Sequence, residues 1–292
     1  MRTARTSILE IGYEVSGPDT GTPVILLHGF PDDAHAYERV APRLAGEGYR
    51  VLVPNLRGYG ATRFLESSTP RMAQQAAIAQ DLLDFMDALG LDRVALAGYD
   101  WGGRAACIVG ILAPERVRGL VTIGGYNVQN TVTPSEPAPP HRERMHWYQW
   151  YFNTARGRQG LAGNRYELCR YLWREWSPTW DFDDAEYATT APSFDNPDFV
   201  DVVIHSYRHR HGNAPGDPRF DAIERRLAGR PAIAVPTVIL HGGDDAVAGW
   251  PSEREVRAFP ALRARRIIPG AGHFMPREAP NAVVDAIRDV LR

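Results

Sequence analysis

Features of exported and membrane proteins are scarce in this sequence of 292 residues. Its only two cysteines, Cys107 and Cys169, lie far apart in segments with a helical pattern, so we expect reduced thiols rather than a disulfide framework. No apolar run approaches the length that spans a bilayer, and the N-terminus lacks the apolar segment of an export signal. These absences predict a soluble, cytoplasmic protein that does not bind a membrane.

The sequence also lacks a large excess of positive or negative charge. The formal net charge is −2, which gives no electrostatic reason to bind nucleic acid or an anionic lipid surface. With 44% hydrophobic and 23% charged residues, the composition is that of an ordinary globular protein. The length suffices for one large domain with an inserted sub-domain. A homodimer is compatible with this composition.

Two common kinds of catalytic site are missing from the sequence. No Gly-x-Ser-x-Gly motif occurs, so a serine nucleophile of the usual esterase type is not expected. His205 and His209 have the spacing of a helical zinc site, but no glutamate lies between them, and Arg208 and Arg210 would repel a cation. We therefore predict neither a metal nor a cofactor.

Short apolar runs alternate with segments of helical spacing along most of the chain. An alternation of this kind predicts a parallel sheet covered by helices on both faces. A looser alternation over residues 8–15 indicates an edge strand. Strands are expected at 24–27, 51–53, 94–97, 120–123, 235–240 and 265–268, and the first two are predicted to be buried. The main helices are expected at 72–89, 101–112 and 279–291.

The alternation stops in the middle third of the chain. Residues 126–231 contain no buried-strand run and are rich in Trp, Tyr, Arg and Pro. Helices are expected there at 142–154, 165–176, 198–209 and 217–227. We predict an α/β fold whose core domain comprises residues 1–125 and 232–292, with residues 126–231 inserted as a helical cap.

A motif at the end of one buried strand carries the chemistry. Gly98-Tyr99-Asp100-Trp101-Gly102 has the small residues that a sharp strand-to-helix turn requires on both sides of its central residue. This is a nucleophile elbow with aspartate in place of serine. A carboxylate is already ionised at neutral pH and can attack an sp³ carbon directly, which leaves an alkyl ester on the enzyme.

An acid and a histidine follow in the order that such a triad requires. The acid lies in His241-Gly242-Gly243-Asp244-Asp245, just after a predicted strand, and the histidine lies in Gly272-His273-Phe274, after the next strand. We choose Asp245 as the acid because it lies three residues after Gly242, and Asp244 is the alternative. His273 would activate water, and Asp245 would orient the imidazole.

Hydrolysis of the ester also requires donors for a developing oxyanion. Two backbone N–H groups are expected to supply them. One is that of Trp101, which follows the nucleophile, and the other is that of Phe30, in the turn after the first buried strand.

The chain resembles, over nearly its whole length, the epoxide hydrolase branch of the α/β-hydrolase superfamily. The matching motifs are His28-Gly29-Phe30-Pro31, Arg57-Gly58-Tyr59-Gly60, Asp100-Trp101-Gly102-Gly103 and Gly272-His273-Phe274. The resemblance implies an α/β-hydrolase fold, a small-molecule epoxide as substrate and water as the second substrate. It also implies two cap tyrosines that donate hydrogen bonds to the epoxide oxygen. By similarity these are Tyr148 and Tyr207, with Tyr151 in reserve for Tyr148.

The alternative that the resemblance leaves open is a dehalogenase acting on an alkyl halide. Trp101 could offer its indole N–H to a halide, but Phe30 stands where haloalkane dehalogenases commonly have a second donor, an asparagine. Haloacetate dehalogenases carry a His-Trp pair for the halide, where this chain has Gln149-Trp150. They also carry two arginines for the substrate carboxylate, of which Arg104 matches one. A non-catalytic binder would typically lack part of the triad, yet all three members are present.

Arg104 also has a purely structural interpretation. It lies four residues after Asp100 on a predicted helix, and we expect its guanidinium to pair with a neighbouring carboxylate. If it faces the cavity instead, an acidic or polar epoxide is implied.

Overall fold

The computed structural model describes residues 1–133, 136–248 and 252–292. Within these residues, nine strands form one sheet, in the order β1-β2-β4-β3-β6-β7-β8-β9, with β5 paired to β2. The strands are β1 Arg2–Arg5, β2 Leu9–Ser16, β3 Pro23–Leu27, β4 Arg50–Pro54, β5 Arg63–Phe64, β6 Val94–Tyr99, β7 Val117–Ile123, β8 Thr237–Gly242 and β9 Leu262–Ile268.

The sheet is parallel from β4 to β9, and β1, β2 and β5 pair antiparallel. Strands are present at all the predicted positions, and β6 is buried along its whole length. Strand β9 lies at the edge of the sheet, and its residues alternate between half-buried and exposed. The expectation for residues 8–15 is wrong in one respect. They form β2, which is not an edge strand because β1 pairs alongside it through Arg2–Arg5. The strand β1 is short and mostly exposed, and it carries no apolar run that would reveal it.

Twelve α-helices lie in the described residues. They are α1 Ala41–Gly46, α2 Gln75–Ala88, α3 Asp100–Leu112, α4 Pro140–Met145, α5 Trp147–Phe152, α6 Ala155–Trp176, α7 Asp184–Thr190, α8 Phe199–Arg210, α9 Asp221–Ala228, α10 Glu253–Arg257, α11 Met275–Glu278 and α12 Pro280–Leu291. Helices α4 to α9 follow β7 and precede β8, and no strand lies between them in the described part of the chain.

Within this helical segment, the boundaries differ from the predicted ones. The helix expected at 142–154 is two helices, α4 and α5, separated at His146. Helix α6 begins ten residues earlier than predicted, at Ala155, and is kinked at Asn164. The side-chain hydroxyl of Thr154 accepts a hydrogen bond from the Gly157 N–H at its N-terminus.

The sheet and its flanking helices enclose the core. Both cysteines, Cys107 and Cys169, are buried and free. Among the described helices, none is both long enough and apolar enough to cross a membrane. The pairing of β3 with β6 sets Leu27 beside Gly98, so the chain segments that follow these two strands meet at one edge of the sheet.

Candidate active site

Asp100 occupies a strained turn between β6 and α3. Its φ is 48°, in the left-handed region that residues other than glycine rarely adopt. The turn requires glycine nearby, since a Cβ on Gly98 would lie 2.7 Å from the backbone of Gly102, and one on Gly102 would lie 2.3 Å from the Leu27 carbonyl oxygen. Asp100 is also the first residue of α3, where the helix dipole favours a negative charge.

The predicted acid and histidine lie together at the ends of β8 and β9. The Nδ1 atom of His273 lies 3.0 Å from Oδ2 of Asp245, and both side chains are almost fully buried. The other oxygen of Asp245 accepts hydrogen bonds from the N–H groups of Val247 and Ala248, each at 2.8 Å. Asp244 instead lies 3.4 Å from the Thr179 hydroxyl. The geometry therefore favours Asp245 over Asp244 as the partner of the histidine.

The electrostatic environment of His273 favours the imidazolium. Burial alone lowers its pKa, but the carboxylates nearby, first of all Asp245 and then Asp100, outweigh burial and raise the pKa to about 9. Burial raises the pKa of Asp245, and the charge and hydrogen bond of His273 reverse that effect, so that the pKa lies below its ordinary value. The Nε2 atom of His273 is buried and has no partner within the described residues. It is thus available to a water molecule.

One of the two predicted oxyanion donors contacts Asp100 directly. The N–H of Phe30 donates to Oδ1 of Asp100 at 2.8 Å. The N–H of Trp101 belongs to the first turn of α3, where backbone N–H groups have no partner within the helix. Both groups are therefore suited to hold an oxygen of the Asp100 carboxyl group.

The predicted tyrosines come from two helices of the inserted segment and meet above the elbow. Tyr148 lies on α5 and Tyr207 on α8, and their rings are perpendicular with centroids 5.4 Å apart. The Tyr207 ring packs 5.5 Å from Phe30 and 6.1 Å from Trp101. Burial raises the pKa of Tyr148 to about 12 and that of Tyr207 well above its ordinary value, so both hydroxyls carry their protons at neutral pH.

A short chain of hydrogen bonds holds the hydroxyl of Tyr148. The Gln149 amide donates from Nε2 to this hydroxyl at 3.1 Å, and its Oε1 lies 3.1 Å from Nε2 of His211. His211 must be the donor in the second contact, because the amide oxygen can only accept. Since Gln149 occupies a lone pair of the Tyr148 oxygen, the hydroxyl proton stays free for another acceptor.

The reserve tyrosine and the predicted halide-binding pair occupy other positions. Tyr151 packs against Trp147, with centroids 5.9 Å apart. Trp150 is 44% exposed, and its indole N–H donates to Glu143 at 3.0 Å. One amide N–H of Gln149 and the indole N–H of Trp150 therefore already have acceptors in the protein. The indole N–H of Trp101, in contrast, is buried without a partner in the described part of the chain.

The expectation that Arg104 pairs with a carboxylate is wrong. No carboxylate of the described residues lies within 4 Å of its guanidinium. Its Nε donates to the Asn127 carbonyl oxygen at 3.1 Å, and its side chain lines the same cavity as Asp100. Helix α3 is buried almost throughout, so a residue four positions from the nucleophile turns toward the cavity rather than toward a charged surface.

The cavity at the elbow has a volume of about 550 Å³ and opens to solvent. Its walls include the triad, Tyr148, Gln149 and Trp150. Two further residues on the walls, Arg210 and His211, were not selected from the sequence, although Arg210 lies one helical turn after Tyr207 and so shares its face of α8. No cluster of three metal-ligating side chains occurs in the described residues, and His205 accepts the Ala73 N–H at 2.8 Å.

The known proteins that are similar to this chain include epoxide hydrolases and a dehalogenase. Epoxide hydrolase A of Mycobacterium tuberculosis is 25% identical over 95% of this chain and 92% of its own length. Epoxide hydrolase 3 of Siraitia grosvenorii is 33% identical over 55% of this chain, and fluoroacetate dehalogenase of a Burkholderia species is 35% identical over 46%. The chain spans less than half the length of these last two relatives, 45% and 42% respectively.

One solved structure is similar to this protein over the whole chain. The crystal structure of a candidate epoxide hydrolase from Klebsiella pneumoniae is 44% identical, with a TM-score of 0.97 over 100% of this chain and 97% of that chain. A family model described as alpha/beta hydrolase fold matches residues 22–280. This match covers most of the sequence and includes all three residues of the triad. The chain therefore belongs to the alpha/beta hydrolase fold family.

Proposed function

We propose that this protein hydrolyses an epoxide to a vicinal diol through an alkyl ester on Asp100. In the first step a carboxylate oxygen of Asp100 attacks an epoxide carbon, and the bond from that carbon to the ring oxygen breaks. The ring oxygen takes a proton from Tyr148 or Tyr207. In the second step His273 removes a proton from water, which attacks the carbonyl carbon of the ester. The bond between this carbon and the alkyl oxygen breaks, and the alkyl oxygen takes the proton from His273. The second proton of the water leaves the carboxyl group of Asp100 and returns to the tyrosine.

One observation carries the proposal. The Tyr148 hydroxyl accepts from Gln149 at 3.1 Å and lines the same cavity as Asp100, so its proton is available opposite the nucleophile. Opening an epoxide leaves an alkoxide that needs an acid, whereas a departing halide does not. The similarity to epoxide hydrolases supports the same choice.

We further propose that residues 126–231 act as a cap over the elbow, between core segments 1–125 and 232–292. Its support is that the two tyrosine-bearing helices of this segment pack on Phe30 and Trp101. Water and a small molecule are the proposed reactants. A cytoplasmic location and a homodimeric assembly stay predictions.

A dehalogenase is the second candidate, favoured by the buried indole N–H of Trp101, which has no partner in the described residues and could hold a halide. A side-by-side assay separates the two. We expect diol from styrene oxide and small aliphatic epoxides, without halide from bromoalkanes or haloacetates. Halide release without diol would refute the proposal and assign Trp101 to the leaving group.

A further inference from the structure

Two arginines face the cavity without the partners that buried cations usually have. Arg104 projects from α3 and is 6% exposed, and Arg210, which is half-buried, projects from the end of α8. Neither has a carboxylate within 4 Å among the described residues, although exposed arginines elsewhere, such as Arg158, pair with one. Buried charges are ordinarily paired. An anion that is not part of the described chain would complete this arrangement.

The Arg210 guanidinium also has an unused donor. Its Nη2 atom is buried and lacks a hydrogen-bond partner in the described residues. Its Cζ atom lies over the Tyr207 ring, 4.7 Å from the centroid, which fixes the cation beside one of the proposed acids. The two arginines are close enough to affect each other, since burial and then the charge of Arg210 lower the pKa of Arg104 to about 10.

The rest of the cavity wall does not neutralise this pair. Outside the triad, its charged lining comprises four arginines and two glutamates, Glu136 and Glu143. Glu143 already accepts from the Trp150 indole and from the Ala138 N–H. Asp100 contributes negative charge near Arg104, but attack on a substrate would turn its carboxylate into a neutral ester. The net positive charge of the cavity is therefore larger when the substrate is bound to Asp100 as an ester than before the attack.

We infer that Arg104 and Arg210 form a subsite for a carboxylate group carried by the substrate, so that the epoxide is an epoxy acid. This inference rests on the proposed function and names its substrate class. Guanidinium groups bind carboxylates through charge-assisted hydrogen bonds of defined geometry. Arg104 lies four residues along α3 from Asp100, a rise of about 6 Å. The carboxylate is therefore within a few bonds of the carbon that Asp100 attacks.

A matched pair of epoxides tests the subsite. Glycidate and glycidamide have nearly the same shape, but only glycidate carries a negative charge. We expect the wild-type kcat/KM for glycidate to exceed that for glycidamide by at least about tenfold, the effect of a charge-assisted hydrogen bond. In Arg210→Gln and Arg104→Gln this ratio should fall toward one. Arg158→Gln, an exposed change on α6, serves as the control and should keep the wild-type ratio.

Inhibition of the unmodified protein provides a test that does not depend on folding of the variants. Cyclopropanecarboxylate should inhibit styrene oxide hydrolysis about tenfold more strongly than cyclopropanecarboxamide. Equal inhibition by the two compounds would contradict the proposed subsite. So would an equal loss of kcat/KM for glycidate and glycidamide in the arginine variants. Diol formation from the neutral epoxides would meanwhile uphold the proposed function. If no epoxide reacts, the proposed function fails, and the two inhibitors tested against halide release still decide on the subsite.

Discussion

His273 and Asp245 are joined by a hydrogen bond of 3.0 Å between Nδ1 and Oδ2, at the ends of two neighbouring strands. This contact fixes the Nε2 atom as the free nitrogen, which lies buried without a partner in the described residues. The hydrogen bond thereby holds the imidazole of His273 in one orientation.

The first prediction concerns the choice between the two neighbouring aspartates. Asp245→Asn should lower kcat by up to roughly 10⁴-fold, because the amide no longer holds the imidazole in the required tautomer. Asp244→Asn is the matched control and should remain within about threefold of wild type, since the Asp244 side chain has one hydrogen-bond partner among the described residues, the Thr179 hydroxyl at 3.4 Å. Steady-state diol formation measures both. If Asp244→Asn were the more damaging change, the assignment of the acid would be wrong.

The second prediction concerns pH. His273 must be neutral to accept a proton, and in the free protein its pKa is about 9, because the carboxylates of Asp245 and Asp100 outweigh the effect of burial. Alkylation removes the charge of Asp100, so the pKa should fall below about 9 in the intermediate. Hydrolysis of the ester should therefore accelerate as pH rises, with the midpoint of the rise below pH 9, and then level off. Ring opening should stay flat until the tyrosines ionise, near the Tyr148 pKa of about 12.

Rapid-quench experiments distinguish these two steps by following the alkyl-enzyme and the diol separately. The Asp245→Asn variant supplies a control, since loss of that negative charge should move the rise in ester hydrolysis to lower pH. Ester hydrolysis that is fastest in acid would contradict the role given to His273.

The third prediction is a trapped intermediate. His273→Gln should allow ring opening and then stop, because no base remains to activate water for attack on the ester. Intact-mass spectrometry should show the added mass of one epoxide, located on the peptide that contains Asp100. The same experiment with Asp100→Asn and His273→Gln combined should give no adduct. An unmodified Asp100 peptide in the single variant would exclude the covalent mechanism.

The positions of Asp100, Asp245 and His273 are well predicted from the sequence because each residue follows a strand, and parallel strands bring their carboxyl ends to one edge of the sheet. The sequence predicts the surroundings less well. Arg210 and His211 reach the cavity because α8 packs across the elbow, and such contacts between distant helices leave no periodic signal. The sequence likewise does not predict the break at His146, between α4 and α5, because the residues on both sides favour a helix.

The fourth prediction concerns the two tyrosines. Replacing both Tyr148 and Tyr207 by Phe should lower the rate of epoxide opening by roughly 10²- to 10⁴-fold, the usual contribution of an acid. Each ring keeps its packing in these variants, so thermal unfolding should change little. Tyr151→Phe is the control, because that ring lies against Trp147. Full activity of the double variant would show that neither hydroxyl protonates the epoxide oxygen.

The fifth prediction concerns the hydrogen bonds behind Tyr148. Gln149 donates to the Tyr148 hydroxyl and accepts from His211, each at 3.1 Å, which leaves the phenol proton directed elsewhere. In Gln149→Glu the new carboxylate should accept the phenol proton itself and withdraw it from the epoxide. We expect the rate of alkylation to fall by roughly 10- to 100-fold, a loss of about 1.4–2.7 kcal/mol of transition-state stabilisation.

The hydrolytic half of the reaction provides the internal control for this variant. Tyr148 is needed as an acid only during ring opening, so hydrolysis of the ester should proceed at close to the wild-type rate in Gln149→Glu. Pre-steady-state measurement of both steps separates the two effects. A loss of equal size in alkylation and hydrolysis would mean that Gln149 supports the structure around α5 rather than the direction of one proton. A loss confined to alkylation would show that Gln149 and its partner His211 orient the Tyr148 hydroxyl for proton donation, because only that step requires the phenol proton.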